Sequence, residues 1–332
     1  MDLGVGSIDR GGTAKSMTVV DHSLNSTSRL GFRGTEKLTG GLNAMFQIEG
    51  GVTADTGATI TFNRESWVGL SGGFGQVRLG RTLTPTFYTD AVGDILGYSL
   101  FGGQGNWSSG GGGHSVGTYA VRYNGIHWTS QSMSGLVVRA AYAPSERDGT
   151  AATSSATSPT NVGSAFDIGA TYSAGPLGVG VAYQDEKVSP TAAPTTSTSR
   201  KVTTLAGSYA IGSITIKGGY ATSELGTGAT LLDLSKTNLG VSAKVGVGTV
   251  SLAYSMFESE SGASNTKREA NVLGVAYSHP LSKNTSLYAT YGRTDNKTAL
   301  STYGLYAGGV NYTQSATGVD VSGMGFGILH MF

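Results

Sequence analysis

The chain has 332 residues, 22 Lys+Arg against 21 Asp+Glu, no cysteine, 53 glycines and a mean hydropathy of −0.06. Charged residues make up 13%, where water-soluble domains carry roughly 25%, so this is no ordinary soluble domain. Glycine at this density without a G-X-Y period excludes collagen, the missing Cys excludes disulfides, thiolate metal sites and cysteine nucleophiles, and a net charge of +1 gives no footprint for nucleic acid.

No apolar run reaches the roughly 18 residues that a membrane-spanning helix needs, and MDLGVGSIDR has neither the charged nor the apolar region of a signal peptide. Period-2 alternation, by contrast, recurs in segments of about ten residues. In chain order the clear ones cover 135–142, 166–172, 177–183, 214–220, 239–245, 250–256, 273–277 and 287–291. In 177–183, Leu177, Val179, Val181 and Tyr183 share one face, and Gly178, Gly180 and Ala182 the other. One face is apolar throughout. The other is small, polar or charged, which suits a wet interior better than the inside of a sandwich.

The connections alternate in length. Tight turns lie at 38–41, 72–75, 131–135, 175–176, 212–213, 246–248 and 280–284, and longer polar loops at about 10–25, 53–61, 83–118, 145–163, 188–199, 224–232, 259–265 and 295–318. Seven short and eight long connections join sixteen strands. The expectation is an all-β chain: one domain over 1–332, a 16-stranded antiparallel transmembrane β-barrel with short turns at one rim and long loops at the other. Ten residues tilted by about 45° rise roughly 23 Å, close to the apolar band of such barrels. Tyr142, Tyr183, Tyr220, Tyr254 and Tyr291 fall on the apolar face toward the long loops, and Tyr172, Tyr209 and Tyr277 beside the short turns. They form two girdles at the headgroup levels.

Four segments then carry a family resemblance: SRLGFRGTEKLTGGLNAMFQIEGG (28–51), FNRESWVGLSGGFGQVRLGR (62–81), LGVAYSHPLSKNTSLYATYGRT (273–294) and GFGILHMF (325–332). In this order they resemble the trimeric general porins of Gram-negative outer membranes, particularly the β-proteobacterial branch. The resemblance implies passive diffusion of small hydrophilic solutes through a water-filled lumen, narrowed where the third loop (83–118) folds inward. It implies a homotrimer in contact with outer-membrane lipid and lipopolysaccharide, small anions and polar solutes in transit, and no cofactor. Phe332 with Ile328 and Phe326 resembles the insertion signal of such barrels. In the family the first strand begins some eight to ten residues before the position of Asp2, so MDLGVGSID resembles its second half and the chain is expected to start inside that strand. Leu100 stands before Phe101-Gly102-Gly103 where enteric relatives carry an acid, so the resemblance does not extend to cation preference.

Arg29, Arg64 and Arg122 come from the second, fourth and sixth strands at similar height and match the arginines of the family's constriction. Further inward-register charges are Arg33, Arg139, Lys217 and Lys244 against Glu49 and Asp167, which makes the lumen basic and the pore anion-preferring. Asp90 and Asp94 on the third loop are expected to oppose the arginines, and Glu49 to pair with Arg29 or Arg64. Two readings of the arginines stay open, a selectivity filter and a solvated salt-bridge network. The run Gly110 to Gly113 before His114 reads as flexible loop, since no Lys or helix follows it. His22, His114, His127, His279 and His330 have no metal-ligand spacing. An adhesin barrel and a barrel hydrolase are the alternatives in other function classes, the latter without a GxSxG.

Overall fold

The computed structural model describes the chain apart from residues 15, 99, 104–120, 146–162, 189–197, 227–231, 263–265 and 308–309. The elements in order are β1 (Asp2–Asp9), β2 (Met17–His22), β3 (Arg29–Lys37), β4 (Asn43–Gly51), β5 (Glu65–Gly72), β6 (Gly75–Leu83), helix α1 (Pro85–Gly93), β7 (Arg122–Thr129), β8 (Leu136–Ala143), β9 (Ala165–Ala174), β10 (Leu177–Val188), β11 (Thr198–Ile211), β12 (Ile214–Leu225), β13 (Leu232–Val245), β14 (Gly248–Ser261), β15 (Thr266–Pro280), β16 (Thr285–Asn296), β17 (Leu305–Ala307), β18 (Val310–Tyr312) and β19 (Val321–His330). Each strand from β3 to β16 pairs antiparallel with the next, β16 pairs with β19, and β19 pairs with β1. First and last strands are thus joined. With β2 and β3 counted as one interrupted strand, the 17-stranded sheet is a barrel of sixteen staves. β17 and β18 form a separate hairpin within the last long connection.

Alternation along each strand decides which side faces out. On β10, Val179, Val181 and Tyr183 are exposed while Gly178, Ala182 and Gln184 are buried. The eight girdle tyrosines are all exposed, as are Leu30, Phe32, Val68, Leu79 and Phe326. An apolar belt that broad is intolerable in water, and lipid is the solvent that accepts it.

Several strands are longer than the alternation indicated. β13 begins at Leu232 rather than near 239, because the pattern inverts at that end: Asp233 and Thr237 point outward, Leu234 inward. Leu234 joins Val202, Phe257, Val272 and Tyr303 in an apolar cluster inside the barrel mouth. Above the lipid the ladder continues, but the outside turns polar and the hydropathy signal reverses.

The first long connection also differs, since β2 pairs with β1 from Leu3↔His22 to Ile8↔Met17. The chain then breaks at Ser23, which has φ +68°. The buried carboxylate of Asp2 spans this break, accepting from the backbone N–H of Asn25 and Ser26 at 2.7 and 2.6 Å and from Tyr288 Oη at 2.7 Å. β1 lies along residues 322–329 of β19.

Helix α1 occupies the third loop, where alternation predicts only a polar connection. Its start is built from Thr84, whose Oγ1 accepts from the N–H of Phe87 at 3.3 Å, and from Pro85 in the first turn. The tight turns rest on glycine. At Gly75 (φ +94°) a Cβ would lie 2.2 Å from the carbonyl oxygen of Thr129. Gly75→Val is expected to cost on the order of 3 kcal/mol or more from strain and clash combined. Urea unfolding of the refolded barrel measures it, with Gly73→Ala, which meets nothing within 4 Å, as the neutral control.

Candidate functional site

The lumen has two unlike sides. Along β9 to β16 it is occupied by the inward loop, while the inner face of β3 to β7 carries arginines. The loop packs through α1 on β9, β10, β11 and β12. Beyond the helix it crosses strands whose inward residues are small: Gly240 on β13, Ala253 on β14, Gly274 on β15 and Gly292 on β16. A Cβ on Gly240 would meet Ile95 at 2.3 Å, one on Gly274 Leu96 at 2.5 Å, and one on Gly292 the backbone N of Gly102 at 2.8 Å. Gly102 itself (φ +81°) would strike Gly274 Cα at 2.4 Å. This is the requirement behind Phe101-Gly102-Gly103: Phe101 is wholly buried with Ile8, Leu24, Tyr288 and Leu305, and the glycine after it lets the chain lie flat on the wall.

Polar contacts fix the loop in this place. Lys236 Nζ, fully buried, lies 2.5 Å from Asp90 Oδ1, and Tyr98 donates to the other oxygen of the same carboxylate. Asn238 donates to the carbonyl of Gly93 and Lys217 to that of Asp94, both at 2.8 Å. Asp167 accepts from Thr86 N, Thr86 Oγ1 and Gln184 Nε2, placing a carboxylate at the N-terminus of α1, where the helix dipole favours it.

Asp90 and Asp94, expected to face the arginines, therefore point away from them, 1% and 4% exposed. The physical reason is Lys236, a cation that its own burial forces to find a carboxylate. Burial also pushes the Asp94 carboxyl up to about 6, with Asp90 beside it adding to the effect. Lys217 and Asp167 likewise meet the loop rather than open lumen.

On the opposite wall the arginines interleave with acids. Glu49 Oε1 lies 2.8 Å from Arg64 Nε and 4.0 Å from Arg29 Nη1, and Glu65 Oε1 lies 3.7 Å from Arg122 Nε. Arg29 interacts electrostatically with Arg64, and Arg64 with Arg122, so the three form one continuous patch. Arg81 extends it to Arg122 and donates to the carbonyl of Asn63. Of Arg29, Arg64 and Arg122, Arg29 is the most open, its side chain 45% exposed. Arg33 and Lys244 are exposed and lie apart from this patch, toward the short-turn rim. Arg139 stacks over Tyr88 of α1 at 4.5 Å and donates to Thr171. Phe326 and Ile328 are exposed on the outer face of β19 and Phe332 is almost fully exposed. The run 110–114 lies outside the described residues, as does all of 83–118 beyond Gly103.

Among the charged residues of the interior, Glu65, Arg78, Arg81 and Lys236 were not singled out from sequence. Arg78 was readable, because it stands between the outward Val77 and Leu79. Lys236 was not, because it lies in the stretch of β13 where the apolar alternation has faded.

A closed antiparallel barrel with a lipid-facing belt, narrowed by an inward loop opposite a charged wall, is the architecture of a diffusion pore. The chain belongs to the Gram-negative porin family, whose model matches residues 1–299, and it is an outer-membrane protein. It is 35% identical to outer membrane porin protein 32 of Delftia acidovorans, covering 100% of this chain and 92% of that one. Among solved structures, an anion-selective porin from Comamonas acidovorans superposes with a TM-score of 0.82 at 32% identity, covering 100% and 97% of the two chains. The trimer form of OmpT from Vibrio cholerae shares the fold, with a TM-score of 0.71 at 14% identity over 99% and 97%.

Lys236→Met leaves Asp90 buried without its cation, which costs about 3–5 kcal/mol. The expected result is a detached loop, read as larger and noisier single-channel conductance. Restoring neutrality with the pair Lys236→Met and Asp90→Leu should quieten the channel again.

Proposed function

We propose that this general diffusion porin prefers anions, that Arg29, Arg64 and Arg122 are the main cause, and that three copies assemble through the outer faces of the first five strands and the last. One observation carries the selectivity reading. Among the described residues of the loop, 84–103, the only acids are Asp90 and Asp94, and both are buried against the far wall. A solute passing the arginine patch meets the guanidiniums of Arg29, Arg64 and Arg122 and two carboxylates on one side and no exposed carboxylate from those loop residues on the other. The ion pairs with Glu49 and Glu65 do not cancel the patch. They hold the guanidiniums in place while leaving a positive excess. The similarity to the anion-selective porin from Comamonas acidovorans points the same way.

Screening limits which charges count. Mobile salt damps a field over about 8 Å at physiological strength, so only groups at the narrow section discriminate strongly. Catalysis finds no support in this arrangement, and the chain is read as a channel rather than an enzyme or adhesin. Ester or peptide turnover by the purified barrel would oppose that.

For assembly, the outer face of β3 to β6 carries an apolar groove of about 830 Å³ lined by Phe46, Val68, Leu70, Phe74, Val77 and Leu79. Val5, Leu30, Phe32 and Ile48 widen this apolar surface. The girdle tyrosines named above all fall on β8 to β16, which leaves this side for protein rather than headgroups. A closed threefold arrangement suits a patch presented on two sides of each copy.

Reversal potential in a salt gradient tests the selectivity. The unaltered pore is expected to favour chloride, replacement of the three arginines by Ser to shift it toward cations, and Glu49→Gln to shift it toward anions. Cation preference in the unaltered pore would sink the reading. Chemical cross-linking in mild detergent should trap trimers, and monomers alone in a conducting preparation would count against assembly.

A further inference from the structure

Arg78 on β6 is the most enclosed guanidinium of the barrel interior near the short-turn rim, 9% exposed. Its Nη1 donates to Thr82 Oγ1 at 3.0 Å and its Nη2 to Thr129 Oγ1 at 3.5 Å, while its Nε is buried with no acceptor. Two strands away is Arg139, paired in register with that same Thr129. Both residues point into the lumen, one on either side of β7 and offset by two residues along it, with backbones about 12 Å apart at ordinary strand spacing and rise. Each guanidinium lies over an aromatic face, Arg78 over Trp67 at 5.3 Å and Arg139 over Tyr88 at 4.5 Å.

The charge around them is uncompensated. Among the described residues neither arginine has a carboxylate within 4.0 Å, whereas Arg29, Arg64 and Arg122 all do. The groups that face them are Trp67, Thr82, His127, Thr129, Tyr88 and Thr171. His127 adds no negative charge, and the field of Arg78 reaches both it and Arg139. Two like charges that act on one another, one of them with an unfilled donor, call for a counter-ion, and the lumen supplies mobile ones. Planar forks placed over aromatic rings suit the oxygen pairs of an oxyanion better than a spherical halide.

We propose that Arg78 and Arg139 form a second anion site, for phosphate or a carboxylate group, on the short-turn side of the arginine wall. It is separate from the constriction. Arg78 pairs with His127, five residues along β7 from Arg122, roughly 16 Å at ordinary strand rise, and lies three residues along β6 from Arg81, roughly 10 Å, both beyond the screening length of about 8 Å. An anion that clears the wall is thereby handed to a second resting place before it leaves. Tyr88 ties that place to the inward loop, so the loop that narrows the pore also backs the second site.

The site rests on the pore reading but not on the selectivity reading, and bilayer recordings separate the two. With chloride as carrier, inorganic phosphate is expected to lower single-channel current in a saturating manner. Arg78→Gln and Arg139→Gln should each raise the half-blocking concentration about tenfold. Arg139→Lys, which keeps the charge and loses the fork, should raise it severalfold and serves if the Gln variant does not assemble. Half-blocking concentrations that are equal in all these proteins overturn the site, as does a block removed by the Arg29, Arg64 and Arg122 replacements alone. Persistence of the phosphate block after those three replacements, with anion preference lost, supports two separate sites. An unaltered pore that conducts without anion preference but is blocked through Arg78 and Arg139 overturns only the selectivity reading.

Discussion

A lysine with no contact to water must sit against a negative charge, and in this barrel Lys236 meets that demand with Asp90 from the inward loop. Removing either partner leaves a buried ion unanswered, so the pair sets where the loop lies even if it adds little net stability. The rest of the interior follows. With α1 drawn to β9–β12 and Phe101 seated near β16 and β19, one side of the lumen is filled. What remains open is bounded by β3 to β7, where the arginines stand. The two acids of the loop's described part are spent on holding it and do not reach the solute path.

The glycine content has a second meaning in this light. Small inner faces suggested a wet interior, and on the arginine side that is what they border. On β13 to β16 the same feature has another use: Gly240, Ala253, Gly274 and Gly292 make a shallow track into which the loop is pressed. Side chains there would lift the loop and alter the aperture. Composition alone does not separate these uses, because both ask for residues without bulk.

Strand number, the lipid-facing side and the tyrosine girdles were legible because a lipid belt imposes strict alternation on every stave. The extensions beyond the lipid were not, since Asp233, Leu234 and Thr237 reverse the pattern once the outside is water. Helix α1 hid for a different reason. It is short, half-buried against a wall and without a clear apolar stripe, so its one sequence mark was Thr84 followed by Pro85. Of the charges, those on the wall could be placed by counting from the tight turns. Asp90 and Asp94 could not, because their direction is decided by Lys236, more than a hundred residues away in sequence.

The pairing of β1 with β19 and the seat of Asp2 beside Tyr288 bring together residues 286 or more positions apart. Contacts of such sequence separation carry the greatest loop-closure entropy and form slowly. The hairpin neighbours can zip as the chain emerges, but the seam waits for its last strand. Until then two raw strand edges are open to other chains. The break at Ser23, with three donors gathered on the Asp2 carboxylate, works as the latch of that final event, and the vulnerable period in the life of this barrel lies before it shuts.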